Sequence, residues 1–393
     1  MRMNSTHRCP PQLRSTFCAP LPYAETMDTQ LEQHRRDLRR ASRWLHGDGF
    51  EPAHREMERI AAWVRSEELE WDTYGSGERL QAFEAHVAAK LGYPAARFLP
   101  SGSMAQPIAL RLWSERAQCS RFGMHPTCHL ELHEQRGYSR LHGLDATLIG
   151  PAGRPMISLD LAAVRESLSA LVIELPTREN GGQLPEWDQL VELCGLAHER
   201  GIKTHLDGAR LWEAAAGYER PLHEICALFD STYVSFYKGI GALAGAMLLG
   251  PQEFIDEAAL WQRRQGGNLY SLLPNWASAA MRFDKRLERF GAYRAKAVEL
   301  ALAMNEVDGL AVNPCPPQVN MFHVRLRGDA QALAMARDQV AQETGLWLFR
   351  GTRNTLLPDT QVFELYVGES ALGIGAQEAE SAFRRLFEIA ASN

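Results

Sequence analysis

Short apolar runs in the middle of the chain alternate with segments whose apolar residues recur at helical spacing. The runs 170–175, 202–207 and 231–238 predict strands, and 186–199 predicts an amphipathic helix that Gly201 terminates. Strands that are separated by helices usually pair in parallel and are covered on both faces. The pattern therefore predicts an α/β fold with a mostly parallel central sheet flanked by helices.

The flanking regions predict further helices and a second, smaller group of strands. The predicted helices outside the central region lie at 27–45, 51–70, 252–265, 275–305, 329–343 and 376–391. Strand-like runs follow the long helical region at 320–326, 345–349 and 362–367. The late strands and helices together predict a separate small α+β domain at the C-terminal end.

Composition and charge narrow the class of protein. The 393 residues are 45% hydrophobic and 23% charged, and the net charge is −6, which argues against a nucleic-acid partner. The longest membrane candidate, 239–250, is too short and too rich in glycine to span a bilayer. Seven scattered cysteines without a Cys-x-x-Cys pair predict reduced thiols in a cytoplasmic protein.

The first 24 residues differ from the rest in composition. They contain three arginines and four prolines but no acidic residue. A transit peptide is one interpretation, and a disordered leader or a true start at Met27 is the other. The segment has no apolar core and no amphipathic arginine helix, which favours the second interpretation.

Three charged residues stand at the ends of predicted strands. Glu174, Asp207 and Lys238 follow three successive apolar runs, and ligands of open α/β sheets bind beyond the carboxyl ends of the strands. An acid and a lysine in this arrangement suit pyridoxal 5′-phosphate. Lys238 would bind its aldehyde, and Asp207 would keep its ring nitrogen protonated. Ser101-Gly102-Ser103, at the start of a predicted helix, would bind its phosphate through backbone amides and hydroxyls.

A histidine cluster offers a competing interpretation. His125, His129 and His133 are spaced so that one helix face would present three imidazoles, as a zinc site of a hydrolase requires. Pro126 would break such a helix near its start. The spacing therefore favours the cofactor over a metal, and we predict no metal site.

Four stretches resemble the low-specificity threonine aldolase / β-eliminating lyase family. They are HLDGAR (205–210), KGIG (238–241), FLPSGSMAQPIAL (98–110) and WDTYGSGERLQAFE (71–84). The resemblance covers about residues 45–280 and implies the aspartate-aminotransferase-like fold. It also implies a homodimer or homotetramer with shared active sites.

The resemblance also implies roles for individual residues. Lys238 would form the Schiff base, Asp207 would face the pyridine nitrogen, and Gly102 and Ser103 would hold the phosphate. His129 would stack on the cofactor ring and is a candidate base.

The resemblance further implies residues around the substrate. Arg210 would lie at the cofactor and at the substrate carboxylate, and Tyr74 would reach a neighbouring subunit's site. Glu174 is a further candidate, either for a direct role or for support of its neighbours.

The sequence departs from this family around the substrate rather than around the cofactor. Glu364 stands where the aldolases have an arginine that binds the substrate carboxylate, and we expect its charge to repel that group. Arg350 or Arg353 could take over the role, although surface arginines are the simpler interpretation. Tyr237 replaces the usual serine before the lysine, and Tyr270 replaces an expected arginine.

The N-terminal part departs as well, because residues 44–52 replace the aldolases' serine-aspartate-threonine segment. With these departures, we expect a pyridoxal-phosphate-dependent lyase that cleaves a β-hydroxy amino acid into glycine and an aldehyde. The alternatives are β-elimination on another β-substituted amino acid, a cofactor-binding protein without aldolase turnover and, more distantly, the histidine-rich metal hydrolase.

Pattern and resemblance together predict four parts of the chain. They are a disordered leader at 1–26, an N-terminal helix at 27–45 that joins the small domain, a large cofactor-binding domain at 46–275 and the small domain at 276–393. The expected partner is a small amino-acid substrate, without nucleic acid or membrane.

Overall fold

The computed structural model describes residues 22–392, and the side chains from residue 30 onward. In this part of the chain three sheets are formed by β1 (Arg43–Trp44), β2 (Ala95–Leu99), β3 (Arg121–Met124), β4 (Asp145–Leu148), β5 (Ala170–Glu174), β6 (Lys203–Gly208), β7 (Ser231–Ser235), β8 (Ala246–Gly250), β9 (Leu310–Asn313), β10 (Met321–Arg327), β11 (Leu346–Trp347), β12 (Arg353–Asn354) and β13 (Thr360–Tyr366).

Most of the remaining regular structure is α-helical. The α-helices are α1 (Pro22–Ala41), α2 (Ala53–Ser66), α3 (Glu78–Leu91), α4 (Gly102–Ala117), α5 (His129–Leu132), α6 (Gly137–His142), α7 (Ser158–Ala162), α8 (Trp187–Glu199), α9 (Leu211–Tyr218), α10 (Leu222–Cys226), α11 (Gln252–Arg264), α12 (Leu273–Ala280), α13 (Phe283–Leu287), α14 (Phe290–Met304), α15 (Ala330–Thr344) and α16 (Ala376–Ser392). Short 3₁₀ turns lie at Arg178–Asn180 and Glu369–Gly373.

The large sheet has seven strands in the order β2-β8-β7-β6-β5-β3-β4. Its neighbouring strands run parallel except at β8, which is antiparallel to both β2 and β7. Successive residues of β5 enter two different apolar clusters, Leu171 and Ile173 on one side and Ala170 and Val172 on the other. A sheet buried on both faces explains the continuous apolar runs and confirms the predicted α/β fold.

The small domain is built on a four-stranded antiparallel sheet in the order β12-β13-β10-β9. Helices α14, α15 and α16 contribute to a core that is separate from the two clusters of the large sheet. The N-terminal part of the chain joins this domain, since β1 pairs in parallel with β11 and Arg35 in α1 bonds to Asp338 at 2.7 Å. This small α+β unit was also expected from the sequence.

The element boundaries differ from the predicted ones in three places. The predicted helix at 275–305 is broken into α12, α13 and α14. The run 246–250, which had been considered only within a membrane candidate, is the fully buried strand β8. Lys238 does not end a strand, because β7 stops at Ser235 and the lysine follows in a turn.

Two further expectations concern membranes and cysteines. No helix among the described residues is long and apolar enough to cross a membrane. The described cysteines, Cys119, Cys128, Cys194, Cys226 and Cys315, are all free thiols. Cys9, Cys18 and residues 1–21 of the predicted leader lie outside the described residues.

Candidate active site

Asp207 is buried at the carboxyl end of β6 with only 1% of its surface exposed. Its Oδ2 accepts a hydrogen bond of 3.0 Å from Gln106 Nε2 in α4, and its Oδ1 accepts one of 3.1 Å from the backbone N–H of Ala209. Both donors are neutral, and no cationic side chain in the described chain forms an ion pair with this carboxylate. A buried carboxylate without a counter-ion is costly, so the site suits a cationic ligand.

Glu174 lies beside Asp207 because the two residues are register partners on β5 and β6. Its Oε1 accepts a hydrogen bond of 3.1 Å from the backbone N–H of Arg178, while Oε2 is buried without a partner. Burial and the nearby charge of Asp207 raise the pKa of Glu174 to about 7. At neutral pH the Glu174 carboxyl group is therefore about half protonated.

Cys128 lies beside Glu174 and Asp207, and the three residues together are a possible metal-binding group. Its Sγ and the carboxylate oxygens of Glu174 and Asp207 lie within 4.8 Å of one another, a spacing that could hold an ion. Burial raises the pKa of the Cys128 thiol well above its usual value. A thiol must lose its proton to bind a metal, so an organic cation fits these groups better.

Lys238 projects from the turn that follows β7. Burial lowers the pKa of its amine, and the positive charge of Arg210 lowers it further. The next residue, Gly239, is confined, since a Cβ there would lie 2.6 Å from Glu213 Oε1 and 2.8 Å from the Phe290 ring. The turn therefore holds a lysine whose amine loses its proton more easily than that of an ordinary lysine.

The first turn of α4 contains the three residues that were predicted to bind a phosphate. Ser101 is the N-cap residue, yet its side chain caps no backbone amide, and Ser103 is exposed. A Cβ on Gly102 would overlap the hydroxyl of the buried Tyr233, so only glycine fits at that position. Helix α4 therefore starts with open amides and two hydroxyls, which suit a phosphate.

Arg210 and Glu364 meet where the two domains face each other. The Arg210 side chain is 12% exposed, makes no hydrogen bond to described residues, and lies 3.8 Å from Glu364 Oε1. Burial opposes its charge, but the carboxylates of Glu364 and Glu213 outweigh burial and raise the pKa of Arg210. A buried guanidinium with unused donors is suited to an incoming carboxylate.

Glu364 is paired with arginine side chains in the folded chain. It accepts a 2.7 Å hydrogen bond from Arg178 Nε in the turn after β5. Burial would raise the pKa of Glu364, but Arg210 and Arg178 lower it overall, so the group is ionised. Of the two substitutes considered from the sequence, Arg350 stacks on Trp44 and Arg353 lies 3.5 Å from Glu179.

His129 follows Cys128 and begins α5, next to the acidic cluster. Its Nδ1 lies 2.9 Å from Glu134 Oε1, and its ring is 5.1 Å from that of His133. A carboxylate on Nδ1 fixes the proton there and leaves Nε2 as the free acceptor. The structure thus keeps His129 available as a stacking group or base.

The histidines do not form one metal-binding face. As expected from Pro126, no helix among the described residues runs through all three, and α5 has only four residues. His125 bonds to Thr127 Oγ1 and to the carbonyl of Pro151, and His133 bonds to Glu179. Each imidazole therefore has its own partner, which disfavours the hydrolase alternative.

Tyr74 and Tyr270 contact each other at the surface of the chain. The backbone N–H of Tyr74 donates a 2.8 Å hydrogen bond to the carbonyl of Tyr270, and their rings meet edge to face at 5.5 Å. Tyr74 is 55% exposed and Tyr270 is 68% exposed. The two exposed rings contact each other, whereas the hydrogen-bond donors to Asp207 are Gln106 and Ala209.

Sequence reasoning missed several residues of the site. Gln106 could have been found, because it lies one helical turn after Gly102 on α4 and so faces the same side. Arg178 and the fully buried Glu213 carried no comparable signal. Their partners Glu364 and Tyr366 come from β13, and these contacts exist only in the folded chain.

A cavity of about 930 Å³ lies next to this site, but Asp207 and Lys238 do not line it. Ile240 and Gly241 border it, and paired charges such as Arg282 with Glu56 form its rim. We place the candidate site at the strand ends because the unpaired carboxylates and the low-pKa lysine lie there.

The pair of carboxylates predicts a pH effect on the cofactor-free protein. The pKa of Glu174 is about 7 in the folded chain against 4.5 ordinarily, so stabilisation present below pH 4.5 is lost as pH rises towards 7. Since one pKa unit is worth about 1.4 kcal/mol, the loss is about 3 kcal/mol of unfolding free energy. Glu174→Gln should remove it, as urea denaturation at pH 4.5, 6 and 7.5 would measure.

Glu84 supplies a matched control for this experiment. Burial raises its pKa to about 7 as well, but it accepts the backbone N–H of Phe98 away from the cluster. Glu84→Gln should reduce the pH dependence of stability similarly, whereas only Glu174→Gln should also change the pH dependence of cofactor affinity. An unchanged stability profile in Glu174→Gln would contradict the raised pKa of Glu174.

Comparisons with known proteins agree with this geometry. Residues 53–327 match the model of the β-eliminating lyase family. Low-specificity L-threonine aldolase 1 of Arabidopsis thaliana is 25% identical over 74% of this chain and 83% of its own length.

Two solved structures are similar over nearly the whole chain. One, from Listeria monocytogenes EGD-E and proposed to be an L-allo-threonine aldolase, is 39% identical with a TM-score of 0.85 over 91% of this chain and 99% of its own. The other, from Exiguobacterium sp. 255-15 and proposed to be an aromatic amino acid β-eliminating lyase/threonine aldolase, is 36% identical with a TM-score of 0.84 over the same shares.

Proposed function

Since the chain belongs to the β-eliminating lyase family, we propose that it is a pyridoxal-phosphate-dependent lyase that cleaves a β-hydroxy amino acid into glycine and an aldehyde. The observation that carries the proposal is the meeting of Asp207, Glu174 and a low-pKa Lys238 at one end of the large sheet. The threonine aldolase names of similar proteins support the same reaction.

Pyridoxal 5′-phosphate fits the residues of the site. When bound, the cofactor would supply an aldehyde for an amine and a ring that withdraws electrons from Cα. Asp207, buried without a counter-ion, would hold the ring nitrogen, and Lys238 would hold the aldehyde carbon. Gly102 and Ser103, with Ser101, would hold the phosphate, and His129 would cover the ring face.

We propose a separate role in cleavage for each of three side chains of this site. The lowered pKa of Lys238 means that its amine would lose its proton more easily than that of an ordinary lysine and could give way to the amine of the substrate. Arg210 offers free donors to the substrate carboxylate, and this contact would orient the bonds at Cα for cleavage. His129 Nε2, or a water beside it, accepts the proton of the β-hydroxyl.

We also propose a homodimer or homotetramer whose active sites are shared. Trp71, Tyr74 and Tyr270 expose 69%, 55% and 68% of their surfaces in one chain, which favours burial against a neighbour. Tyr74 would then approach the site of the neighbouring subunit. Sedimentation that returned only monomers at micromolar concentration would refute this arrangement.

The reaction is tested with purified protein and added cofactor. We expect glycine and an aldehyde from threonine, allo-threonine or phenylserine, measured by chromatography and by a coupled aldehyde reductase. Ammonia and a 2-oxo acid without glycine would instead support β-elimination, which the altered residue Glu364 keeps as the second candidate. Bound cofactor without turnover of any such amino acid would contradict both reactions.

A further inference from the structure

Arg178 lies in the turn that links the cofactor side of the site to the small domain. Its backbone N–H donates to Glu174 Oε1 at 3.1 Å, while its side chain reaches across to β13 and donates from Nε to Glu364 Oε2 at 2.7 Å. Its Nη1 donates to Glu179 Oε1 at 3.1 Å. The guanidinium is thus held on two edges, and 28% of the side chain remains accessible.

Arg178 and Arg210 share the same acidic partner. Arg178 contacts Oε2 of Glu364, and Arg210 lies 3.8 Å from Oε1. One carboxylate stands between these two guanidinium groups and does not neutralise both. Glu179, the other partner of Arg178, also pairs with Arg353, so its charge is divided as well. Arg178 Nη2 makes no hydrogen bond to any described residue, so donors as well as charge are available there.

Both arginines also lie near the amine that reacts. Burial lowers the pKa of Lys238, and the charges of Arg210 and Arg178 lower it further, which places both guanidinium groups within electrostatic reach of Nζ. The amine of an amino-acid substrate must come to the position of that Nζ. Its carboxylate is attached to the same Cα, so it must lie among the cations that surround Lys238.

We propose that Arg178 binds the carboxylate of the amino-acid substrate together with Arg210, and that Glu364 positions the two guanidinium groups for it. The inference rests on the proposed function. The expectation from the sequence was that Glu364 repels the substrate. In the proposed role Glu364 instead holds two guanidinium groups in place, and their free N–H donors bind the ligand. The binding cation then comes from the turn after β5 and not from β13.

The decisive experiment compares two small amines in cofactor-loaded protein. Glycine and methylamine differ only by the carboxylate, and their dissociation constants can be measured from the change in visible absorbance of the bound cofactor. We expect Arg178→Gln to raise the constant for glycine about tenfold or more and to leave that for methylamine within about twofold. The cofactor content of Arg178→Gln should equal that of the wild type.

Arg116 provides a matched control. Its side chain is 30% exposed, pairs with Glu257 at 3.2 Å, and lies at the far end of α4 from the phosphate site. Arg116→Gln should change neither constant. Equal weakening of both amines by Arg178→Gln, or a glycine constant that responds to Arg353→Gln instead, would overturn the proposal.

A second variant covers the case in which Arg178→Gln does not fold. Glu364→Gln keeps an acceptor for Arg178 Nε but removes the negative charge, so glycine should bind several-fold more tightly while methylamine binds unchanged. Weaker glycine binding in Glu364→Gln would overturn the proposal. A wild-type protein that shows no cofactor absorbance would refute the proposed function itself, which is a distinguishable result.

Discussion

Lys238→Ala is expected to abolish covalent attachment of the cofactor and to lower the cleavage rate at least about 10³-fold. Lys238 is the amine of the cluster, and burial together with Arg210 lowers its pKa, so its removal takes away the nucleophile and the group that returns the proton. The measurements are the turnover number with saturating cofactor and the mass of the protein after borohydride reduction. Reduction should add the cofactor to the Lys238 peptide of the wild type only.

Lys203→Ala is the control for this result. Lys203 begins β6, is about half exposed and pairs with Asp230 at 2.7 Å, at the opposite end of the strand from Asp207. It should keep full turnover and the reduced adduct. Attachment of the cofactor to another lysine, or an adduct that survives Lys238→Ala, would show that the site is wrongly placed.

Asp207→Asn is expected to lower the turnover number about 10²- to 10³-fold while the cofactor stays attached to Lys238. The substitution keeps the size of the side chain but removes the charge that would hold the pyridine nitrogen protonated. Gln106 Nε2 and the N–H of Ala209 each donate to one oxygen of Asp207. In the asparagine variant only the single side-chain oxygen can accept these hydrogen bonds. The ¹⁵N chemical shift of the pyridine nitrogen should report the loss of its proton.

Asp230→Asn separates this effect from a general loss of stability. Asp230 is also partly buried and accepts the backbone N–H of Thr204, but it lies at the amino end of the same strands. It should lower the midpoint of thermal unfolding more than the turnover number. If Asp207→Asn retained wild-type turnover and an unchanged nitrogen shift, the assignment of the ring position would be wrong.

The sequence was most informative where one short segment carries both the fold and the chemistry. In HLDGAR, Leu206 is a buried core residue while Asp207 and Arg210 enter the site, so the apolar pattern and the charges point to the same place. Ser101-Gly102-Ser103 is similar, because the same residues begin helix α4 and expose the backbone amides that can bind an anion. Such local signals do not depend on the path of the rest of the chain.

The substrate side of the site could not be predicted in the same way. Arg178 and Glu364 are separated by 186 positions, and no local pattern reveals that the turn after β5 meets β13. The expectation that Glu364 repels a carboxylate considered its charge without its neighbours. In the folded chain Glu364 contacts Arg178 and lies near Arg210, so its negative charge is balanced by these arginines.

The short connection from Glu174 to Arg178 has a consequence for engineering the substrate range. The two residues at its ends serve different halves of the site, one beside Asp207 and the other against Glu364. A library that inserts or deletes residues at 175–177 would disturb both halves at once and return mostly inactive clones. Variation on β13 at constant loop length would alter selectivity and spare cofactor retention.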